Sequence, residues 1–503
     1  MRGLPKPRGR VLILAALSAA AFAYAAVRAV RVPIVHDEAL TYFLFVAGRH
    51  AGPLAPGFEA NNHFLNSVLT AASRQLFGEG EVALRLPNLL SLPLYLAATA
   101  HLALRQRTAA LTVAAFLLLN GSAFALEFFS LSRGYGLGLA FLASGVALFV
   151  DALEGRGAAT ARAGLAFLCL GLASLANLSF LLPLAAAVAA GTALEAWRRF
   201  ARSRPGAPAL RETPSLLVPL TLSLPFLIVL VPYATEMSRK GGFSMGGSRG
   251  LWSDTAVSLL AVLRNLPPEE APRAPLLEAV LAAVLLLLAV AVLVRPGRLS
   301  PLSLVPASLL ALTAAGIELA GRLLGARYPV ERAALPVQFL FLAAATGVAG
   351  DWVAKRRSGW KPASAAALIS AALAVVAFAA AAGTTHTLLW RYDADNPRML
   401  DDLDRARRER GFARPVRLGI TWLMEPSINY YRFRRGLDWL LPVTRRGLAD
   451  RDPDFCYWTP KDDDVARALD LAAPTVYPVS GNRLAARGQA RAGTAAYTGV
   501  SQP

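Results

Sequence analysis

Long apolar segments separated by short polar ones dominate the first three quarters of the chain. They fall near residues 11–30, 82–104, 108–126, 134–150, 161–177, 178–196, 214–233, 275–294, 300–321, 333–350 and 362–385. A helix of about twenty residues crosses the hydrocarbon of a bilayer. The pattern therefore predicts a mainly α, polytopic membrane protein with about eleven transmembrane helices. Asn177-Leu178-Ser179 is the short break between the fifth and sixth.

Two stretches show helical spacing instead of a continuous apolar run. Over residues 61–77, Phe64, Leu65, Val68, Leu69, Ala72 and Leu76 fall on one face, with Asn62, Asn66, Thr70 and Ser73 on the other. An amphipathic helix lying on the outer membrane surface is expected there. A second is expected over 252–263, after the glycine-rich loop 241–250. That loop lacks a phosphate-cradling pattern ending in Lys-Ser/Thr and reads as flexible, a possible lid.

Beyond residue 386 the chain becomes charged and punctuated by proline. Residues 416–421 and 455–458 are candidate strands, and 401–410 and 425–434 candidate helices, giving a small external α/β domain. Its aromatics Tyr430, Tyr431, Trp439 and Trp458 either stack on sugars or, the commoner role, pack in a core. The last twenty or so residues have the composition of a poorly ordered tail. Two domains are thus expected: a membrane module over 1–385, with 31–80 as its first external loop, and an external domain over 386–503.

The composition agrees. Of 503 residues 55% are hydrophobic, too many for an ordinary soluble protein. The net charge of +19 would suggest nucleic acid in a soluble chain, but the basic residues sit between apolar runs. Arg105/Arg107, Arg156/Arg162, Arg198/Arg199/Arg202/Arg204, Arg295/Arg298 and Lys355/Arg356/Arg357/Lys361 occupy alternate loops, all on the side of Arg2, Lys6, Arg8 and Arg10. The positive-inside rule makes that side cytoplasmic. Residues 31–80 and everything after 386 then lie outside, and no nucleic-acid partner is implied. Ala21-Phe22-Ala23 would suit signal-peptide cleavage, but the length of the first run and the many spans after it favour a retained helix. Cys169 and Cys456 are unsuited to a disulfide framework.

Candidate chemistry gathers on the external side. Asp37 and Glu38 stand at the exit of the first span, where acidic residues are costly and often kept for work. Both also suit a helix N-terminus, which is the bland reading. Adjacent helical residues point about 100° apart, so only one can face a reacting atom while the other supports it. Glu127 lies at the next outward exit, followed by Arg133 and Tyr135. A third cluster contains Arg327, Tyr328, Glu331 and Arg332.

Carboxylates and arginines on one membrane face are what transfer from a lipid-linked phosphate requires. Arginine holds the phosphate bidentately, and a carboxylate deprotonates the attacking hydroxyl. Phosphate is already a good leaving group, so no general acid is needed, unlike glycoside hydrolysis. The competing reading for the arginines is snorkelling or ion pairing, as between Arg332 and Glu331.

His36-Asp37-Glu38-Ala39, Asn61-Asn62-His63-Phe64-Leu65, Leu76-Phe77-Gly78-Glu79, Ala83-Leu84-Arg85-Leu86-Pro87 and Ser132-Arg133-Gly134-Tyr135 follow one another in the chain. Together they resemble the N-terminal signature of bacterial integral-membrane glycosyltransferases of the GT-C fold. Within that fold the similarity is to the dolichyl-phosphate-mannose protein mannosyltransferase-like group (glycosyltransferase family 39), which includes the aminoarabinose transferases of lipid A. It is strongest over about residues 30–150 and returns at Arg327-Tyr328 and Glu331-Arg332.

The resemblance implies Asp37 as the catalytic aspartate, a base or an acceptor-orienting group, and Glu127 as the second acidic residue; Glu38, beside Asp37, completes the candidate catalytic set. It implies Arg133, Tyr135, Arg327 and Arg332 at the donor phosphate. Asn61, Asn62, His63 and Arg85 would position donor or acceptor. Many members carry a lysine-containing run where this chain has Asn61-Asn62-His63, so donor contacts differ there. In some relatives the second acidic residue helps to bind a divalent metal; for such an ion here the ligands would be Asp37, Glu127 and His63.

The expected function is a glycosyltransferase of the bacterial cytoplasmic membrane, moving a sugar from a polyprenyl-phosphate donor to a glycan, lipid or protein acceptor outside. The alternative is a transporter or flippase of lipid-linked saccharides. It would call for inverted repeats and mid-membrane helix breaks, and the sequence shows no clear repeat.

Overall fold

The computed structural model describes residues 7–48, 61–155, 158–202, 215–243, 245–267, 271–294, 299–354, 361–471 and 474–487. The expected tail after 487 lies outside them. The chain forms two compact units: Met1–Arg31 with Thr41–Thr384, and Val32–Leu40 with Thr385–Pro503. The short segment bearing Asp37 and Glu38 thus groups with the C-terminal unit, although it lies in the first loop by sequence.

The first unit is helical. Its elements begin with α1 (Pro7–Arg31), and α2 (His36–Thr41) straddles the division between the units. There follow α3 (Phe64–Phe77), α4 (Glu81–Leu104), α5 (Ala109–Asn120), α6 (Ala123–Glu127), α7 (Tyr135–Leu153), α8 (Ala159–Ala176), α9 (Leu181–Arg202) and α10 (Leu217–Arg239). The series continues with α11 (Val257–Leu263), α12 (Pro275–Val294), α13 (Pro301–Leu324), α14 (Leu335–Ala354) and α15 (Lys361–Ala381).

Among the described residues, nine of these helices are long and apolar enough to cross a membrane. The segment expected as one span over 108–126 is broken: Ala109–Asn120 and Ala123–Ser130 meet at 59°. Asn120, Gly121 and Ser122 favour turns and caps, and the Ser122 hydroxyl accepts from Ala125 N–H at 3.1 Å to start α6 afresh. The segment at 275–294 is helical with a shorter apolar stretch, Pro275–Val290. At Asn177 the chain turns extended, and its side chain caps a 3₁₀ turn, Leu178–Phe180, that separates α8 from α9.

Large apolar side chains such as Ile228, Val376, Leu373 and Leu276 project outward, 64% exposed or more. In water such a surface would be a liability; in a bilayer it faces its solvent. α7 is buried on nearly all sides, packed on α4 and α8. α13 and α14 pack closely. A Cβ at Gly347 would sit 2.7 Å from the Leu302 carbonyl oxygen and 3.0 Å from Ser303 Cα, so the two backbones touch where no side chain fits.

The C-terminal unit carries α16 (Asn396–Glu409), α17 (Glu425–Arg434) and α18 (Asp463–Ala468), with strands β1 (Leu418–Ile420), β2 (Phe455–Trp458), β3 (Thr475–Val476) and β4 (Arg483–Ala486). The sheet order is β1-β2-β4-β3; β1 runs parallel to β2, and the other pairs are antiparallel. Cys456, Trp458 and Ala485 pack against Leu448, Ala466 and Leu471. Tyr430, Tyr431 and Trp458 are core residues, whereas Trp439 is half-buried with Arg407 over its ring at 4.9 Å.

Gly347→Ala should force α13 and α14 apart and cost about 1–3 kcal/mol. A fall in the melting temperature of the detergent-solubilised protein would register it, and an unchanged melting curve would show that the helices part freely.

Candidate functional site

In the first unit the polar residues collect around Arg133. This side chain, 2% exposed, donates to Thr41 Oγ1 at 3.1 Å and to Asn61 Oδ1 at 2.8 Å. Thr41 also donates to the Asn61 carbonyl at 3.2 Å. A guanidinium thus joins the C-terminal end of α2, the start of the 61–77 segment and the turn before α7. Gly134 makes that turn possible. Its φ is +70°, and an added Cβ would lie 2.2 Å from the Ala176 carbonyl oxygen. Tyr135 starts α7 with its ring edge-on to His63, centroids 5.6 Å apart, and close to Phe128 at 4.9 Å. The structure therefore brings Asn61, His63, Arg133 and Tyr135 together. Asn62 turns to Ser67, accepting from its hydroxyl at 3.1 Å.

α3 forms as expected, with its polar face turned inward. Asn66, Ser67, Thr70 and Ser73 are buried, while Val68, Leu76 and Phe77 are exposed. Asn88 Nδ2 donates to Asn66 Oδ1 at 2.6 Å, and Asn88 Oδ1 accepts from Leu137 N–H at 3.2 Å. Thr70 and Ser132 hydroxyls meet at 2.9 Å. Buried polar groups need partners, and this network ties α3, α4 and α7 into one frame beneath Arg133.

Glu127 has a cation of its own. Arg28 donates to Glu127 Oε2 at 2.9 Å and to Ser130 Oγ at 3.3 Å, and pairs with the Gly383 carbonyl oxygen; both side chains of the ion pair are buried. Arg85, fully buried, donates to the Ala29 carbonyl at 3.0 Å. Arg28 was not among the residues singled out by sequence, yet a cation inside the final turn of a span is itself a signal. Asn88, inside the second span, carries the same signal.

A separate cluster involves Arg327 and Arg332. Gly247 and Tyr328 exchange backbone hydrogen bonds at 2.9 Å, Thr255 donates to the Pro329 carbonyl at 2.7 Å, and Glu331 N–H donates to Ser258 at 3.0 Å. The glycine-rich loop expected to be flexible is thus fastened to the 327–331 segment. Asp254 anchors it further by accepting from the Arg249 and Gly250 N–H groups at 2.6 and 3.1 Å. Arg327 is exposed, and Arg332 lies 3.2 Å from Glu331. At the polar end of α10, Val231, Pro232, Tyr233, Thr235, Glu236 and Arg239 line an open cleft of about 650 Å³. Tyr233 meets Phe64 of α3 edge-on at 4.8 Å, next to His63.

In the C-terminal unit Asp37 and Glu38 occupy the first turn of α2. Glu38 Oε2 reaches back to Val35 N–H at 3.2 Å, half of a capping box, so Glu38 supports the helix; the neighbouring Asp37 is buried as well. His36 N–H donates to Asp393 Oδ2 at 2.7 Å. Asp393 is 1% exposed, and its Oδ1 accepts from Ser427 Oγ at 2.6 Å and Asn396 Nδ2 at 2.9 Å. Burial pushes the Asp393 carboxyl up to about 8; three hydrogen bonds oppose the rise and the nearby Asp37 charge adds to it. Ser427 Oγ also contacts the Met424 carbonyl at 3.1 Å. Ser427 Oγ therefore has two acceptors within reach of its one hydrogen, Asp393 Oδ1 and the Met424 carbonyl. Nothing in the charged segment beyond residue 386 marked Asp393 in advance.

Among the described residues no three His, Cys, Asp or Glu side chains are gathered as ligands for a metal ion. Of the residues named for that role, Glu127 is ion-paired to Arg28, His63 packs against Tyr135 and Asp37 belongs to the other unit.

No protein-family model matches the sequence, and no curated protein does. Solved structures do. ArnT from Cupriavidus metallidurans, bound to undecaprenyl phosphate, aligns with a TM-score of 0.52 at 14% identity, covering 97% of this chain and 99% of ArnT. The apo state of ArnT gives 0.53 with the same identity and coverage. The chain has the ArnT fold. This is the polytopic GT-C architecture expected from the sequence. Arabinosyltransferase EmbB from Mycobacterium smegmatis aligns over 79% of this chain and 42% of its own at 18% identity, with a TM-score of 0.37. At that level a shared fold is not established.

Glu127→Gln should leave the Arg28 charge buried without its counter-ion and cost about 3–5 kcal/mol. Adding Arg28→Met should recover much of that loss, which a double-mutant cycle of melting temperatures measures. Strictly additive losses would show that the pair is not coupled.

Asp393 makes stability depend on pH. Its folded value lies above the ordinary carboxylate value of 3.8, so its contribution is complete below pH 4, falls as pH rises towards 8 and is constant above. The slope in that window should approach about 1.4 kcal/mol per pH unit. Melting curves from pH 5 to 8.5 should show the decline in the parent and a flatter profile in Asp393→Asn; parallel profiles would exclude it.

Proposed function

We propose that the protein is a membrane glycosyltransferase that moves a sugar from a polyprenyl-phosphate donor to an acceptor on the external face of the bacterial cytoplasmic membrane. The observation that carries this reading is the whole-length likeness in fold to ArnT, one of whose structures holds undecaprenyl phosphate. The side chains of this chain fit such a role. Arg133 presents a guanidinium in a polar frame, exposed Arg327 offers a second cation, and Arg332 a third.

In this reading Asp37 takes the proton of the acceptor hydroxyl, whose oxygen attacks the anomeric carbon. The bond from that carbon to the donor phosphate oxygen breaks, and the polyprenyl phosphate leaves with both electrons. Arg133, Arg327 and Arg332 balance the charge that develops on it. Tyr135, Asn61, Asn62, His63 and Arg85 shape and brace the donor end, while Glu38 and Glu127 hold the frame through Val35 and Arg28. Polyprenyl-phosphate sugar, bilayer lipid and a hydroxyl-bearing glycan, lipid or protein are the partners.

The flippase reading draws on one observation, the 59° break between α5 and α6, since broken helices are common in transporters. Membranes containing the parent or Asp37→Asn, given radiolabelled polyprenyl-phosphate sugars and native membrane extract, separate the two. Transfer of label to a new acceptor by the parent, reduced about a hundredfold or more in the variant, is expected for a general base. Equal transfer by both removes Asp37 from the chemistry. Altered sidedness of the labelled lipid without transfer favours the flippase. Arg133→Lys, which keeps the charge and loses the fork, should raise the donor KM by about tenfold or more; an unchanged donor KM would remove Arg133 from the phosphate site.

A further inference from the structure

The segment Val32–Leu40 is held by side chains of the C-terminal unit to which it belongs. Ile34 N–H donates to the Tyr431 hydroxyl at 2.9 Å, and the His36 ring pairs through Nδ1 with the Leu423 carbonyl. The third tie, from His36 N–H to Asp393 Oδ2, acts on the start of α2 itself. The first N–H groups of a helix have no partner within it. Val35, the residue before α2, has no side-chain acceptor to offer, and Asp393 supplies one from far along the chain. Asp393 is itself held in place. Asn396 at the start of α16 and Ser427 in the first turn of α17 both bond Oδ1, and Asn396 Nδ2 also reaches Ser427 Oγ at 2.9 Å. Two helices of the C-terminal unit thereby converge on one carboxyl, which in turn grips the turn bearing Asp37.

We propose that Asp393 is the positioning residue for the Asp37 carboxylate, fixing the first turn of α2 through the His36 N–H. The inference rests on the reading of Asp37 as the base. A general base must be held within a fraction of an ångström of its productive position, and a shift of about 1 Å can cost about a hundredfold in rate. Asp393, Asn396 and Ser427 then set the aim of the base from within the unit that carries it. Asp393 acts through α2 and touches no substrate.

The test compares Asp393→Leu, Asp393→Asn and Ser427→Ala in the full-length protein. Transfer is followed with radiolabelled polyprenyl-phosphate sugar and native membrane extract, and amide hydrogen exchange over 32–48 is followed in the same preparations. Asp393→Leu should lower kcat about tenfold or more, leave the donor KM within about twofold, and speed exchange over 36–41. Asp393→Asn keeps an oxygen acceptor for His36 N–H, so it should restore most of kcat and the protection. Ser427→Ala should give a smaller loss of the same kind.

Unchanged kcat in Asp393→Leu, or unchanged exchange over 36–41, overturns the proposal. So does an Asp393→Asn protein as impaired as Asp393→Leu. Should Asp393→Leu exchange faster throughout 393–487, Ser427→Ala decides, and parental kcat with parental exchange in that variant overturns it. Equal transfer by the parent and Asp37→Asn would instead refute the base assignment, while the exchange data still report whether Asp393 holds the turn.

Discussion

A guanidinium taken out of water must find oxygen acceptors inside the protein, and the first unit is built around three that have done so. Arg28 is met by Glu127, Ser130 and the Gly383 carbonyl; Arg85 by the Ala29 carbonyl; Arg133 by Thr41 and Asn61. Burying such a charge without partners costs far more than a chain of marginal stability can tolerate. Each arginine therefore forces distant segments together: the end of α1 with α6, α4 with α1, and the turn before α7 with the start of the 61–77 segment. Apolar packing in a bilayer has little power to choose among helix neighbours, because lipid tails are as apolar as leucine. The polar ties supply the register.

The same constraint explains α3. In a water-soluble protein its face of Phe64, Leu65, Val68, Leu69, Ala72 and Leu76 would turn inward. Here Asn66, Thr70 and Ser73 turn inward to meet Ser132, Asn88 and the end-on carbonyls of α4. The solvent on the far side is treated as hydrocarbon, and the usual sense of an amphipathic helix reverses. The inward face braces the turn carrying Arg133, so the inversion serves the site.

Likeness in fold to ArnT at 14% identity follows from these facts. Lipid-facing positions accept almost any apolar side chain, and interior positions accept apolar substitutions that keep volume. Few positions demand one residue type. Gly134 is one, because φ is positive and the Ala176 carbonyl leaves no room for a Cβ. Arg133, at the centre of its polar frame, is another.

The sequence by itself determined where the apolar helices run, that strands and helices follow after residue 386, and that Asp37, Glu127, Arg133, Arg327 and Arg332 are the chemically charged positions to watch. Hydropathy and helical spacing are local properties, so they survive translation into one dimension. Partnership is not local. That Glu127 belongs to Arg28, that the glycine-rich loop is fastened to Tyr328, that α3 turns its polar face inward and that Val32–Leu40 packs with the C-terminal unit were decided only by the tertiary structure. The same holds for Asp393, one carboxylate among many in a charged stretch until burial and the His36 N–H single it out. The Thr70–Ser132 contact joins residues 62 positions apart and the His36–Asp393 bond residues 357 apart, and no periodicity along the chain encodes such distances.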